Sequence, residues 1–305
     1  MAYAAHILDD SISPAGHRLT SFEVTFPRIV LAEVNTHKMI SKNSASSRAI
    51  PVVKRIEAVT FDPFVPEQFG KNQKGMQHTE LLDGSDDQFA RHEWHEAKNE
   101  MVARAASLAK IGVHKQLANR LLEPFAWHTA VLSGTDWDNF FHLRVNPAAQ
   151  GEFRRAAEMM LELYTKSAPR PVNYGDWHTP YVAGSEAFDI MGSEPIYSLP
   201  NISAARCARV SYLTQDGRHD WREDMALFDR LVGPGHLSPL EHPARPMTSS
   251  ELLQFERPRR FWNGERFAAT LGESDYYLGN FNGWVQLRKL IPGEADILGH
   301  RSATA

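Results

Sequence analysis

A short stretch at residues 35–49, NTHKMISKNSASSRA, concentrates side chains that form hydrogen bonds. Within it, Ser46, Ser47 and Arg48 combine hydroxyl groups and backbone N–H groups with a guanidinium that can form two parallel hydrogen bonds to a phosphate. The same three residues could instead form a polar turn that caps the end of a helix. The spacing alone therefore leaves an anion-binding site and a structural turn both open.

Two arginines stand in otherwise apolar surroundings, Arg120 in NRLLEPF and Arg144 in NFFHLR. A guanidinium in such a setting is expected to pair with a carboxylate or with a phosphate. Glu123 and Glu152 are candidate partners for a structural ion pair. The sequence by itself does not separate that ion pair from a contact with a ligand.

The segment HLSPLEH contains His236, Ser238, Glu241 and His242. These residue types can bind a metal ion, but they lack the spacing of the zinc-binding HExxH helix, and Pro239 interrupts the helical register. The sequence also contains no G-x-S-x-G elbow, no G-x-G-x-x-G motif and no P-loop. We therefore expect no metal site, and a serine hydrolase is not supported.

Length and composition favour a cytoplasmic enzyme. The 305 residues are 42% hydrophobic, which suffices for a large core in one domain or two. The net charge of −4 gives no general attraction to nucleic acid or to an anionic membrane. Cys207 is the one cysteine, so a disulfide framework is excluded. The amino terminus lacks a secretion signal, and no run of 18 apolar residues could span a membrane.

Hydrophobic periodicity predicts the elements that must position these groups. They are a strand at 19–26, a helix at 28–39, an irregular loop or lid at 50–90, one or two helices at 88–123, a short apolar element at 139–144, a helix at 147–169, a strand at 203–213, a helix at 220–233 and an aromatic carboxy-terminal extension at 248–305. Within the predicted lid, Phe61, Phe64 and Phe69 are expected to be buried. The aromatic extension either completes the core or covers a ligand.

Read together, these motifs resemble those of the flavin-dependent thymidylate synthases, the ThyX family. The stretch THKMISKNSASSRA keeps five positions of the family signature R-H-R-x-x-S-x-N-E-x-S-x-R-Y, namely His37, Ser41, Asn43, Ser46 and Arg48. Two further family motifs are matched by Arg120 with Pro124 and by Asn139, Arg144, Gln150 and Glu152. ARVSY at 208–212 and GHLSPLEH at 235–242 look like the blocks that open the family's chain.

The resemblance implies one catalytic domain over residues 1–305, with an α+β fold in which helices pack on a mixed or antiparallel sheet. The motif order differs from the family's, because the two opening blocks come last here. The chain therefore looks circularly permuted, which a fold tolerates when its termini lie close together. The R-H-R triplet is also altered to Thr36, His37 and Lys38, and Glu33 stands where the family usually has Gln. Glu33 could favour a base that presents a hydrogen-bond donor, or it could pair with Lys38.

The activity implied by the resemblance is transfer of a one-carbon unit from methylenetetrahydrofolate to C5 of a pyrimidine deoxynucleotide, most simply dUMP to dTMP. FAD supplies the hydride and NADPH reduces the flavin. Two alternatives stay open: the same chemistry on dCMP, with a methyl or hydroxymethyl product, and a non-catalytic flavin- or nucleotide-binding homologue. The family assembles its active sites at subunit interfaces of a homotetramer, so a homo-oligomer is expected.

Residue by residue, the resemblance assigns three groups of side chains. The catalytic residues are Arg144 and His236. The nucleotide is bound by Glu33, Ser46, Ser47, Arg48, Arg120 and Arg144. The flavin is bound by His37, Lys38, Ser41, Asn43, Asn139, Ser211, His236, Ser238 and Glu241.

Overall fold

The computed structural model describes residues 2–75, 77–182, 198–210, 220–255 and 279–292, together with residues 184, 186, 187, 190 and 294. Within these ranges the protein has an α+β fold, as predicted, in which helices pack against a mixed sheet.

The main sheet combines antiparallel pairs with one parallel edge. Its strands are β1 (Ala4–Ile12), β2 (Arg18–Pro27), β3 (Ser41–Ser44), β4 (Trp127–Gly134) and β5 (Arg170–Pro171). Their order across the sheet is β3-β4-β2-β1-β5, and only β5 runs parallel to its neighbour. A second, two-stranded sheet pairs β6 (Ala244–Pro246) with β7 (Trp284–Gln286).

Helices connect and cover these strands. They are α1 (Leu31–Asn35), α2 (Val52–Phe61), α3 (Gly84–Lys110), α4 (Lys115–Ala118), α5 (Asp138–Arg144), α6 (Gly151–Lys166), α7 (Ser198–Arg209), α8 (Trp221–Val232) and α9 (Ser249–Phe255). Short 3-10 helices occupy Arg28–Val30, Asn119–Phe125, Ser238–Glu241 and Leu287–Leu290.

Strand β2 is buried on both faces, and from Ser21 to Phe26 its polar residues alternate with apolar ones. Phe22, Val24 and Phe26 point to one face and pack against α5 and α6, where Phe140 and Met160 belong to the same core cluster. The other face presents hydroxyl groups to the carboxy-terminal part of the chain. The strand predicted at 19–26 is confirmed. Its polar and apolar residues alternate because one face packs against helices and the other against the carboxy-terminal part of the chain.

Helix α6 confirms the clearest helix prediction. Phe153, Ala156, Ala157 and Met160 are buried at the i, i+3, i+4 and i+7 spacing of one helical face. The predicted helix at 220–233 is likewise confirmed as α8, whose first turn is capped by Asp220. These two segments are amphipathic, so their periodicity could be read directly.

The helix predicted at 28–39 is wrong in length. A 3-10 turn precedes the five residues of α1, and the helix ends before Thr36. The Thr36 hydroxyl donates to the carbonyl of Glu33 at 2.6 Å, and such local hydrogen bonds compete with helix continuation. The Lys42 amino group then donates to the carbonyls of His37 and Ile40, which holds the following turn.

The strand predicted at 203–213 is a helix over its described part. Residues 203–209 belong to α7, which is buried almost all round, while 211–213 lie outside the described residues. Full burial removes the period of 3.6 that marks an amphipathic helix. Two arginines on this helix, Arg206 and Arg209, are stabilised by Asp224 of α8. The Asp224 carboxylate accepts a 2.8 Å hydrogen bond from the Nε atom of each.

The irregular loop predicted at 50–90 is also corrected. It contains all of α2 and the first residues of α3, and these helices pack together around Val59, Ala105 and Leu122. Phe64 is buried and Phe69 is half-buried, but Phe61 is 85% exposed, against expectation.

The aromatic extension completes the core where it is described. Trp284 and Val285 of β7 are fully buried, and the Trp284 indole donates to the carbonyl of His17 at 3.1 Å. Residues 256–278 and 295–305 lie outside the described residues. In the ranges above, no helix is both long and apolar enough to cross a bilayer. The same ranges contain no group of three or more potential metal ligands with suitable placement.

Candidate active site

The centre of the candidate site is a direct contact between two predicted functional residues. The Nε atom of Arg144, at the end of α5, donates to the Nε2 atom of His37 at 2.8 Å. Arg144 also donates to the hydroxyl of Thr36 at 3.2 Å and lies over the ring of Phe153, 4.9 Å from its centre. The guanidinium is therefore held on one edge and one face, and it has no carboxylate partner among the described residues.

His37 is a neutral hydrogen-bond acceptor in this arrangement. Its ring packs edge-on against Phe140, with ring centres 4.9 Å apart. Burial, together with the charges of Arg144 and Lys42, lowers the pKa of His37 to about 4. Because Nε2 accepts from Arg144, the ring proton resides on Nδ1. His37 thus orients Arg144 without cancelling its charge.

A pocket of about 240 Å³ opens beside this pair. Lys38 and Asn139, both predicted to bind the flavin, line it together with His37 and Arg144. Four of the predicted site residues therefore share one pocket. Its volume suits one ring system rather than a whole dinucleotide.

The Ser46–Arg48 segment forms a turn after β3. The Ser46 hydroxyl accepts from the backbone N–H of Arg48 at 3.2 Å. The side-chain amide of Asn119 donates to the carbonyls of Ser47 and Ile50 at 2.8 and 2.9 Å, and Asn119 is fully buried. Arg48 itself is exposed and has no ion pair in the described part of the chain. This segment is thus a structural turn, and it also exposes the guanidinium of Arg48 to solvent.

Glu123 organises the arginines next to this turn. It accepts from Arg120 at 2.9 Å, lies 3.0 Å from Arg28 and accepts a short hydrogen bond from the Ser47 hydroxyl. The structural ion pair that the sequence left open for Arg120 is therefore present. Arg28 and Arg120 also line an open pocket of about 490 Å³, so two cations and one carboxylate face it.

Replacing Asn119 with leucine is expected to raise the KM for the nucleotide substrate that the resemblance implies about tenfold, because two hydrogen bonds that fix the Ser46–Arg48 turn are lost. The kcat should change by less than twofold, since Asn119 lies behind the turn. Steady-state kinetics over a range of nucleotide concentrations would measure both values. Asn99→Ala, an exposed amide on α3, is the control. A loss confined to kcat would contradict this role.

Arg55 is a buried cation without an ion pair among the described residues. It is 6% exposed, and its Nε and Nη2 atoms have no hydrogen-bond partner. Burial and the charge of Arg28, opposed by Glu123, lower the pKa of Arg55 to about 10. The guanidinium therefore remains charged at neutral pH in an environment that disfavours charge.

Replacing Arg55 with methionine is expected to stabilise the protein by about 1–3 kcal/mol, because a buried charge is replaced by an apolar side chain of similar length. Urea unfolding followed by circular dichroism would measure the change. Arg104→Met, on the exposed surface of α3 beside Glu100, serves as the matched control and should be nearly neutral. A destabilised Arg55→Met protein would contradict the expectation.

Strand β3 contacts the 3-10 helix at Ser238–Glu241. The residues of these two elements that are predicted to bind the flavin therefore lie next to each other. The Asn43 side chain donates to the carbonyl of Cys207 at 2.6 Å, which ties β3 to α7. Ser41 is buried and accepts hydrogen bonds from the carboxy-terminal segment. Cys207 is fully buried, and burial raises the pKa of its thiol, so it is a core residue.

Other predicted residues stand apart from the His37–Arg144 pair. His236 and Ser238 are exposed, and neither side chain has a hydrogen bond to another described residue. Ser211 lies outside the described residues. Glu33 has a buried carboxylate oxygen without a partner and forms no ion pair with Lys38 in the described ranges, so that pairing was wrong.

A buried chain of hydrogen bonds joins the central sheet to the carboxy-terminal half. His178 bonds to Ser11 and Ser21, each at 2.8 Å, and Ser21 bonds to Ser133. Ser133 in turn bonds to the Nδ1 atom of His242 at 2.8 Å. All five side chains are at most 1% exposed. This chain fixes the HLSPLEH segment to β2 and β4.

Several residues of the site are not marked by any sequence motif. The sequence indicates Glu123 only as a partner for Arg120, and it gives no sign of the roles of Arg28, Asn119 and Lys42. Their roles depend on contacts between distant segments, such as the Arg28–Glu123 pair, and no local motif marks them.

Comparison with known proteins identifies the family of this chain. The family model described as thymidylate synthase complementing protein matches residues 3–170, a little over half of the chain. The chain belongs to this family, the ThyX family. The matched range includes His37, Arg48, Arg120 and Arg144 but not the segment at 235–242. No curated protein matches.

Solved structures show only a distant likeness to this ThyX-family chain. The UMP/dUMP methylase PolB from Streptomyces cacaoi bound with 5-Br UMP has a TM-score of 0.46 and 16% identity, over 54% of this chain and 89% of that chain. The same enzyme bound with 5-Br dUMP has a TM-score of 0.44 and 15% identity, over 54% and 90%.

Proposed function

We propose that this ThyX-family protein transfers a one-carbon unit from methylenetetrahydrofolate to C5 of dUMP, giving dTMP, with NADPH as reductant. The observation that carries the proposal is the Arg144–His37 pair at the mouth of a ring-sized pocket. Arg144 is fixed in position and keeps its charge, which is what a group that stabilises an anionic base requires. Family membership supplies the reaction class.

The residues present fit a flavin cofactor. Lys38 is exposed and has no ion pair in the described part of the chain, so its charge is available to a phosphate. Burial and the nearby charge of Lys38 lower the pKa of Lys42 to about 8, while Glu241 opposes the shift. Excess positive charge at this place suits the diphosphate of FAD. When bound, the flavin supplies the hydride that completes the methyl group.

The chain's own residues bind and polarise the nucleotide. Arg48 and Arg120 offer guanidinium groups to the phosphate, and Ser46 adds a hydroxyl. Arg144 contacts the pyrimidine and stabilises negative charge on the base while C5 acts as a nucleophile. His37 remains neutral, so it positions Arg144 through Nε2 and takes no proton from the base at neutral pH.

We further propose that the chain is circularly permuted and that its site is completed in a homo-oligomer. The permutation is supported by the contact of α7 and the 3-10 helix at Ser238–Glu241 with β3, although they follow it in sequence. The oligomer is supported by the small pocket and by the exposure of His236 and Ser238, which leaves them accessible to a partner subunit.

Mass spectrometry of the products would test the function. The protein would be incubated without oxygen with FAD, NADPH and methylenetetrahydrofolate, and with dUMP and dCMP in equal amounts. A gain of one methyl group on dUMP is expected. Omission of NADPH should abolish the product. Binding of flavin and nucleotide without any product would favour the non-catalytic homologue.

A second candidate uses dCMP, and one observation favours it. The buried, unpaired carboxylate oxygen of Glu33 could accept a hydrogen bond from the amino group of cytosine. In the same assay, a one-carbon gain on dCMP alone would establish this candidate. Glu33→Gln should then shift the product toward the uracil nucleotide, since an amide can also donate to a carbonyl.

A further inference from the structure

The segment 279–290 reaches two residues that are proposed to bind the flavin. The Nε2 atom of Gln286 donates to the Ser41 hydroxyl at 3.0 Å and to the backbone carbonyl of Glu241 at 2.8 Å. Gln286 is 2% exposed, so both hydrogen bonds are shielded from water. Asn280 adds a weaker contact to Ser41 at 3.3 Å. One buried amide thus joins β3 to the HLSPLEH segment.

Arg288 lies two residues further along the chain and pairs with the Glu241 side chain through a short hydrogen bond. Its Nε atom donates to Glu294 at 2.6 Å. The Arg288 side chain is 33% exposed, so it lies at the surface rather than in the core. Glu241 and Glu294 therefore fix the guanidinium at the edge of the candidate flavin site.

Positive charge accumulates around Glu241. Lys42 is close enough for both Glu241 and Lys38 to affect its titration. Arg288 and Lys289 add two further cations, while Glu241 and Glu294 are the two carboxylates that oppose these charges. A diphosphate would balance this excess better than the protein groups alone.

Two arginines of the family's R-H-R triplet are replaced here by Thr36 and Lys38. Lysine keeps the charge without the planar fork that binds two oxygens, and threonine keeps neither. We propose that Arg288 supplies the missing guanidinium and binds the flavin diphosphate, and that Gln286 positions Ser41 and Glu241. This inference rests on the proposed function, and it gives the carboxy-terminal segment a role in cofactor binding.

Flavin binding tests the inference independently of turnover. Dissociation constants for FAD and riboflavin would be measured by quenching of flavin fluorescence for the wild type and for Arg288→Ala. We expect Arg288→Ala to weaken FAD binding about 10- to 100-fold and to leave riboflavin binding unchanged, because riboflavin has no phosphate. Arg288→Lys should restore part of the FAD affinity, since it restores the charge.

Arg245→Ala is the matched control. Arg245 lies on β6, the strand paired with β7 just before the 3-10 helix of Arg288, and it pairs with both oxygens of Glu251 at 2.9 and 2.8 Å. Its replacement removes a guanidinium and an ion pair without touching Glu241, so flavin affinity should stay at the wild-type value. Melting temperatures of all variants would verify that they are folded.

Gln286→Leu tests the positioning residue. It should weaken FAD and riboflavin equally, since Ser41 and Glu241 would both lose their fixed donor. Unchanged affinities would overturn this assignment.

The outcomes separate the inference from the proposed function. If the wild type binds FAD and Arg288→Ala binds it equally well, Arg288 has no role in cofactor binding. That result contradicts the inference but not the proposed function. An equal loss of FAD and riboflavin affinity in Arg288→Ala would also overturn diphosphate binding. If the wild type binds neither flavin, the result contradicts both the proposed function and the inference.

Discussion

Replacing Arg144 with alanine is expected to lower kcat for nucleotide methylation about 10²- to 10³-fold, the usual effect of removing one preorganised group that stabilises charge in a transition state. Arg144 is held by His37, Thr36 and the face of Phe153, so its position is set before the substrate binds. Initial rates of dTMP formation under anaerobic conditions would measure the loss.

Arg144→Lys should recover little of this activity. An ammonium group cannot donate to His37 and to a ligand with the same geometry as a planar guanidinium. Arg104→Ala removes an exposed arginine that pairs with Glu100 on α3, and it should retain full activity. Activity of Arg144→Ala within twofold of the wild type, with an unchanged melting temperature, would remove Arg144 from the catalytic assignment.

Acid is expected to unfold the protein steeply because several histidines, among them His128 and His242, are buried in neutral form. Burial and the charges of Arg28 and Arg55 lower the pKa of His128 to about 3, and burial with the charge of His178 lowers that of His242 to about 3. Between pH 3 and 6.5 the unfolded chain binds protons that the folded chain does not. Each histidine should therefore reduce the free energy of unfolding by about 1.4 kcal/mol per pH unit as the pH falls below 6.5.

Urea unfolding at a series of pH values would measure this slope. His128→Asn and His242→Asn each keep an acceptor near the Nδ1 position but cannot titrate, so each should reduce the slope by the contribution of one proton. His142→Asn replaces an exposed histidine on α5 and serves as the control. A slope that is unchanged in both buried variants would mean that other groups control acid unfolding.

How far the sequence predicts this fold depends on how each segment is buried. Strand β2 and helix α6 have one apolar face, and their patterns were correct. Helix α7 is buried almost all round, so its sequence has no helical period and the prediction of a strand there is wrong. Strands β1 and β4 were not predicted, because their polar residues face buried partners such as His178 instead of water.

The candidate site is partly predictable because several of its residues stand in short motifs that resemble those of one family. His37 and Arg144, 107 positions apart, were each named from the resemblance, and the structure brings them into contact. The contacts of Gln286 and Arg288 could not be predicted, since they depend on how a distant segment folds back onto β3. A local sequence motif does not indicate a hydrogen-bond partner that lies 245 residues away in the chain.

These contacts join segments that are far apart in sequence, which affects the order in which the protein folds on the ribosome. Ser41 and Gln286 are separated by 245 residues, and Ser133 and His242 by 109. At synthesis rates of about 5–20 residues per second, β3 waits roughly 10–50 seconds for the segment that covers it. During that time the hydroxyl-lined face of the nascent sheet is exposed to water, so its polar side chains form hydrogen bonds with solvent until their protein partners arrive. The proposed flavin site, which includes Ser41 and Arg288, can therefore be complete only after residue 288 has been made.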